Sequence, residues 1–280
     1  IQLVPEFESV INGFMHIDNA DIYVTGSNSK FLSSDIITEF RGRGDEIRVY
    51  PLNFSEFYSV YGGDFDNAWI MYCNYGGMPL CLSMETLADK AKYLTGLFDT
   101  TYLADIINRN NLRGNEEINE LTDVLASSIG SLTNPLKIAN TFASSKNVKL
   151  SANTISNYLN YLQDAFLVEK AVRYDIKGKK YINTPAKYYF VDMGLRNARL
   201  SFRQQEYTHI MENVIYNELR LRGYSVDVGV VENVGKEEGF SVRKTFEVDF
   251  VVNLGNRRYY IQSAYNIPTE EKMAQEQASL

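Results

Sequence analysis

Residues Asp21-Ile-Tyr-Val-Thr-Gly-Ser-Asn28 place a short apolar run directly before a polar turn. A buried strand that delivers Thr25, Ser27 and Asn28 at its carboxyl end stands where open α/β sheets present polar groups to ligands. The flanking segments fit that reading. Residues 6–20 carry Phe7, Val10, Ile11 and Phe14 at helical spacing. Residues 32–40 read as a helix that Ser33 or Ser34 can cap, and Arg41-Gly-Arg-Gly44 breaks it. Glu46–Tyr50 alternates as a strand before Pro51, and Phe54–Phe57 opens another helix. This texture suits the end of a doubly wound sheet.

From about residue 67 to 165 the pattern is helical almost throughout, with Tyr75-Gly-Gly-Met-Pro79 as a tight turn. Glu117–Ile129, Asn134–Phe142 and Ala152–Ala165 are predicted helices, followed by strands Leu167–Tyr174 and Lys180–Ile182. Three helices and then a hairpin is the order of a winged helix-turn-helix. Within 151–162, Ser151 or Asn153 can cap, and Ile155, Leu159 and Leu162 make a buried stripe. Thr154, Asn157, Asn160 and Tyr161 then face outward, as a recognition helix requires. Lys170, Arg173, Lys177, Lys179, Lys180 and Lys187 follow, opposed between them by Glu169 and Asp175 only. Asn157, Lys177, Lys179 and Lys180 are therefore the candidate DNA contacts. The alternative is a protein-packing module whose lysines solvate a hairpin.

Composition limits these readings. A net charge of −7 excludes a nucleic-acid surface over the whole molecule but leaves room for a local basic patch. The two cysteines, Cys73 and Cys81, are too few for a disulfide framework and suggest packing roles in a reducing cytoplasm. No run of about eighteen apolar residues offers a conventional membrane span. The length of 280 residues allows two or three modest domains.

In the last third, Lys187–Asp192, Phe246–Val252 and Tyr259–Ala264 read as strands, Ile210–Arg222 as an amphipathic helix, and Thr269–Leu280 as a further helix. Glu212 on a helix, Asp249 on a strand and Gln262-Ser-Ala264 on the next strand resemble the PD-(D/E)xK nuclease core. That site needs acidic ligands for Mg²⁺ and a nearby lysine to help activate water. Glu212 and Asp249 are the candidate metal ligands, but Gln262 stands where Glu is wanted and Ala264 where Lys is wanted. Weak metal binding and an unactivated water follow unless another lysine, such as Lys244, substitutes. Glu247 and Asp249 can instead be a solvent-facing acid pair on an edge strand. A nuclease fold kept for binding DNA or protein is the preferred expectation.

Taken in order, several stretches resemble one family over nearly the whole chain. They are Val4-Pro-Glu-Phe, Asp21–Ser29, Leu32-Ser-Ser-Asp, Pro51–Phe57, Tyr75-Gly-Gly-Met-Pro, Lys187–Leu195, Glu212-Asn and Glu247-Val-Asp-Phe-Val. The family is that of prokaryotic AAA-type ATPases with a C-terminal domain of unknown function numbered 4143. The resemblance implies a Gly-rich phosphate loop upstream and a Walker B strand ending at or before Ile1-Gln2; no such loop occurs in these 280 residues. It implies that Asn28, aided by Ser27, orients the attacking water. It also implies that Arg43, or Arg41 across one glycine, serves as a finger on the γ-phosphate. A cationic pair at a helix C-terminus is the structural alternative for those arginines.

The expected fold is therefore α/β. Residues 1–66 would be part of a P-loop ATPase sheet, 67–183 a helical and winged-helix middle, and 184–280 an α/β restriction-endonuclease-like domain. The expected function is ATP hydrolysis, with ATP and Mg²⁺ in the whole protein and neither bound by this stretch alone. Hydrolysis would be coupled to a DNA- or protein-binding half, and a homo-oligomer would let an arginine act in trans. The alternatives are a metal-dependent nuclease and a non-enzymatic winged-helix DNA-binding module.

Overall fold

The computed structural model describes residues 6–25, 45, 47–112, 116–146, 148–237, 240–265 and 273. Helix α1 (Phe7–Phe14) sets Phe7 and Ile11 against Met15, Ile22 and Val24 in a small core of their own. Residues 21–25 and 47–50 were expected to be strands and are not. A strand is defined by a partner that takes its backbone hydrogen bonds. Among the described residues no neighbouring strand pairs with either stretch, and Tyr23, Ile47 and Val49 are exposed. The helix expected over 32–40 and the break after it lie outside the described residues, as does all of the last predicted helix except Met273.

Among the described residues, regular elements follow one another closely from α2 (Phe54–Tyr61) onward. Asn53 and Glu56 form a reciprocal capping box there, each side chain accepting from the other's backbone N–H at 2.9 Å. The helices α3 (Phe65–Tyr75), α4 (Pro79–Leu82), α5 (Leu87–Gly96) and α6 (Ala104–Arg109) follow, with a π-helical stretch Leu97–Leu103 joining the last two. Helices α7 (Glu116–Ser127), α8 (Pro135–Lys146) and α9 (Ala152–Asp164) match the predicted trio closely. Ser151 is the residue that caps α9, accepting from Thr154 N–H at 3.0 Å. The stripe Ile155, Leu159 and Leu162 is buried as expected, while Tyr158 is also inside and donates to Glu117.

The hairpin is longer than predicted. Strand β1 (Val168–Asp175) pairs antiparallel with β2 (Lys180–Phe190), which fuses the two stretches read separately at Lys180–Ile182 and from Lys187. The expected boundary between 183 and 184 thus falls inside one strand. Helices α10 (Met193–Arg199) and α11 (Tyr207–Leu221) come next, then β3 (Ser225–Glu237), β4 (Phe240–Leu254) and β5 (Arg257–Ile261). The sheet order is β2-β1-β3-β4-β5, parallel only between β1 and β3 and there only over Arg173–Asp175. This one mixed sheet joins the hairpin to the C-terminal strands. Helix α11 lies against it over Ala171, Tyr189, Tyr216, Val226, Val228, Phe250 and Val252, while a larger core runs through the helices and the start of the sheet.

Three of the sequence stretches singled out above meet at a single junction. Gly77 donates its N–H to Asp192 Oδ2 at 2.7 Å, and its carbonyl accepts from Leu52 N–H at 2.9 Å. Asp192 also caps α10 through Leu195 N–H at 3.0 Å. Any side chain at Gly77 would overlap the Leu52 carbonyl, and one at Gly194 would overlap that of Tyr75. Asn197 completes the contact, donating to the carbonyls of Cys73 and Asn74. Both cysteines are free and buried.

Candidate functional site

Strand β2, helix α11 and strand β4 bring four charged side chains together. Lys187, only 3% exposed, places Nζ 2.8 Å from Glu212 Oε1, 2.7 Å from Glu247 Oε1 and 4.0 Å from Asp249 Oδ1. Burial alone would lower the ammonium pKa, but the Glu212 and Glu247 carboxylates outweigh it and raise it. Glu212 Oε1 also accepts from Tyr189 O–H at 2.6 Å, and Oε2 lies 3.9 Å from His209 Nδ1. Burial pushes the Glu212 carboxyl up; His209, Lys187 and Tyr189 overcome it and hold it below its ordinary value. Asp249 keeps less help. It accepts from Ser263 N–H at 2.8 Å, yet burial raises it to about 6.

Position on the fold explains the set. Asn213, next to Glu212, accepts from Phe190 N–H and donates to Phe190 C=O, acting as a substitute strand along β2. Asn217 adds bonds to the Phe190 and Val191 carbonyls. This amide ladder fixes the register of α11 on β2 and so points Glu212 at Lys187. Gly130, at positive φ after α7, comes close enough that a Cβ there would touch Glu212 and His209. Glu247 and His209 are the part-exposed members of the cluster.

Glu212 and Asp249 both lie beside Lys187. The structure differs from the sequence reading at three points. Lys187, however, is not a member of a solvated basic wing; it is the buried counter-ion of the acids. Asp249 is not on an edge strand, because β5 pairs outside β4, and it is buried. Gln262 points its Oε1 at the backbone N–H of Asp249, 3.3 Å away, rather than at a metal position. Among the described residues no group of three or more His, Cys, Asp or Glu side chains is arranged to hold a metal ion. The ammonium lies between the acids, and Glu212 Oε1 accepts from both Lys187 and Tyr189. Lys187, Tyr189 and His209 were missed as site residues, since strand-period burial of a lysine leaves no mark in local composition. The side chain of Lys244 lies outside the described residues, as do Ser27, Asn28, Arg41 and Arg43.

The candidate DNA contacts are all at the surface. Asn157 is exposed on α9, and Lys177, Lys179 and Lys180 are exposed at the tip between β1 and β2. Lys180 stands 3.9 Å from Asp175.

A second polar junction ties the front of the chain to this body. Arg48 lies over the rings of Tyr50 and Phe166, with its guanidinium carbon 4.6 and 4.7 Å from their centroids. It pairs with Glu169 Oε1 at 2.5 Å, while Arg220 of α11 holds Oε2 of the same carboxylate at 2.8 Å. Tyr216 donates to Glu169 Oε2 as well.

These features define a mixed α/β body with an AAA-type segment clamped to its front: residues 1–58 match the model of an AAA domain. Residues 66–206, half of the chain, match the model of a domain of unknown function (DUF8612), and the chain belongs to that family. It is a different family from the domain numbered 4143 that the sequence motifs suggested. The chain is 37% identical over 274 residues to an uncharacterized protein of Haemophilus influenzae, covering 96% of this chain and 65% of that protein. It is 32% identical over 265 residues to uncharacterized protein MJ1544 of Methanocaldococcus jannaschii, covering 90% of this chain and 57% of the other. The chain thus spans less than two thirds of the length of the curated relatives it matches. Among the described residues no helix is long and apolar enough to cross a membrane.

Proposed function

We propose that the chain is the C-terminal part of an AAA-type ATPase in which nucleotide hydrolysis moves a DNA- or protein-binding body. The observation that carries this reading is the AAA-domain match over residues 1–58, whose last part holds Arg48 in the Glu169–Arg220 clamp. A change of position in that segment has a short, charged path into α11 and β1. In the whole protein, ATP and Mg²⁺ would bind at an upstream phosphate loop. Asn28 would orient the attacking water, and Arg43, or Arg41, would neutralise charge on the transferring phosphoryl group. The body would act through the winged-helix face of α9, with Asn157 toward the partner and Lys177, Lys179 and Lys180 on backbone phosphates. The test is ATP turnover by the whole protein. Arg43→Ala should lower kcat by roughly 10³-fold or more, and Asn28→Ala by about 10²-fold. Unchanged turnover in both variants would end the reading.

One observation favours a second reading, a metal-dependent nuclease. Lys187 brings to Asp249 the ammonium that Ala264 does not supply. Against it, Glu212 Oε1 already accepts from both Lys187 and Tyr189, and Oε2 faces His209. A Mn²⁺-dependent nicking assay on supercoiled DNA decides: cleavage lost in Asp249→Asn supports the nuclease, and no cleavage leaves the cluster a charge-paired tie between β2, α11 and β4.

A further inference from the structure

The sheet carries a second surface that shares only the lysine tip with the winged-helix reading. On β1 and β2, Tyr174 and Tyr181 face each other across the hairpin with ring centroids 5.2 Å apart. Arg258 of β5 reaches across to this pair. Its guanidinium carbon is 4.8 Å from the Tyr174 centroid, and it donates to the Tyr174 hydroxyl at 3.1 Å. Tyr260, two residues along β5 and so on the same face, bonds Arg258 in turn. The result is a row Tyr181–Tyr174–Arg258–Tyr260. Tyr181 is 59% exposed and Tyr260 42% exposed. Just past the Tyr174–Tyr181 pair the strands close at the tip that bears Lys177, Lys179 and Lys180. Asp227, buried beneath and bonded to Tyr181, leaves Oδ2 without a hydrogen-bond partner.

Exposed aromatic rings backed by a guanidinium, beside a cationic tip, on a chain of net charge −7, are a surface whose complement is a flexible polyanion that also carries flat π-faces. A duplex buries its base faces and cannot stack on a sheet in this way. An acidic peptide would satisfy the lysines but leave the tyrosine row without a stacking partner. We propose that this sheet face binds single-stranded nucleic acid, with bases stacked on Tyr181 and Tyr260 and phosphates along the Lys177–Lys180 tip. The inference rests on the body being the partner-binding half, but on neither the ATPase site nor the α9 face.

The test is fluorescence anisotropy of the 280-residue chain with a labelled oligo-dT of about 15 nucleotides, long enough for a single site. A hairpin duplex and heparin serve as competitors. Tyr181→Ala and Arg258→Glu should each weaken single-strand binding roughly 5- to 100-fold, and Tyr181→Phe, which keeps the ring, should restore it. Reversing Lys177, Lys179 and Lys180 to Glu should reduce the salt slope by about 2, from about 0.7 per phosphate contact. Tyr181 is largely exposed, so thermal unfolding should show that its variants remain folded. No single-strand binding by the parent chain, equal binding by Tyr181→Ala, or full displacement by heparin with no ring dependence would overturn the proposal. Duplex binding lost in Asn157→Ala but not in Tyr181→Ala would overturn it too, while keeping the winged-helix reading.

Discussion

Two buried carboxylates sit at the two junctions of this molecule, and they are held in opposite ways. Glu212 is surrounded by a buried ammonium, a tyrosine hydroxyl and an imidazole, which keep it ionised below its ordinary pKa. Asp192 has only backbone N–H donors, from Gly77 and Leu195 among others, and burial raises its carboxyl to about 6. A full opposing charge defeats desolvation; aligned dipoles at a helix start reduce it but do not. The first site is therefore a charge-paired tie that cannot lose one member, and the second is a hydrogen-bonded junction whose carboxyl holds a proton more readily.

The largest effect should come from taking the charge out of the tie. Lys187→Met leaves Glu212, Glu247 and Asp249 facing one another and should destabilise the fold by about 3–5 kcal/mol, measured by urea unfolding. Adding Glu212→Gln to that variant should recover part of the loss. If the double variant were no more stable than the single one, Glu212 would not be the main partner, and the contrast with Asp192 would fail. Next comes the Gly77–Asp192 junction. Gly77→Ala must push against the Leu52 carbonyl and should cost about 1–3 kcal/mol by the same measurement, whereas Gly13, with open space around it, should accept alanine with little change.

The pH dependence separates the two acids by sign. Asp192 binds a proton more tightly in the folded state, its pKa rising from 3.8 to about 6. Its contribution makes stability fall as pH rises from about 4 to 6. Asp249, also raised to about 6, acts in the same direction. Glu212 is depressed, so its stabilisation is present above the unfolded value of 4.5 and is lost as pH falls through its lower folded value. Asp192→Asn should reduce the fall of the melting temperature between pH 4.5 and 6.5, leaving the part due to Asp249, without altering the acid limb below it, as calorimetry across that range would show. The smallest effect belongs to the hairpin tip. Replacing Lys177, Lys179 and Lys180 together should shift stability by no more than about 0.5 kcal/mol per site, since their charges are solvated. A larger change would mean that the tip packs rather than projects.

Much of the helical architecture is legible in the sequence, because apolar periodicity and capping residues are local. The stripe Ile155, Leu159 and Leu162, the cap at Ser151 and the boundaries of α7 to α9 all follow from neighbours within a few positions. The sheet was less legible. Strand β3 has the pattern Ser-Val-Asp-Val-Gly-Val-Val, which alternates and then runs apolar around a bulge between Asp227 and Gly229, so no single period marks it. The stretches at 21–25 and 47–50 have strand-like sequences without strand structure among the described residues, because pairing is supplied by another segment and not by the residues themselves.

What the sequence determined by itself is the trio of helices α7 to α9 with the hairpin after them, and the kinship of the front with AAA domains. What only the tertiary structure decided is the role of each charge. Lys187 and Lys180 lie on one strand, seven residues apart; one is sealed among carboxylates and the other stands in solvent. That difference arises because α11 packs on one end of β2, where carboxylates from α11 and β4 reach Lys187, and leaves the hairpin tip bare. The free energy of a charge depends on what surrounds it in space, which no residue's own identity records.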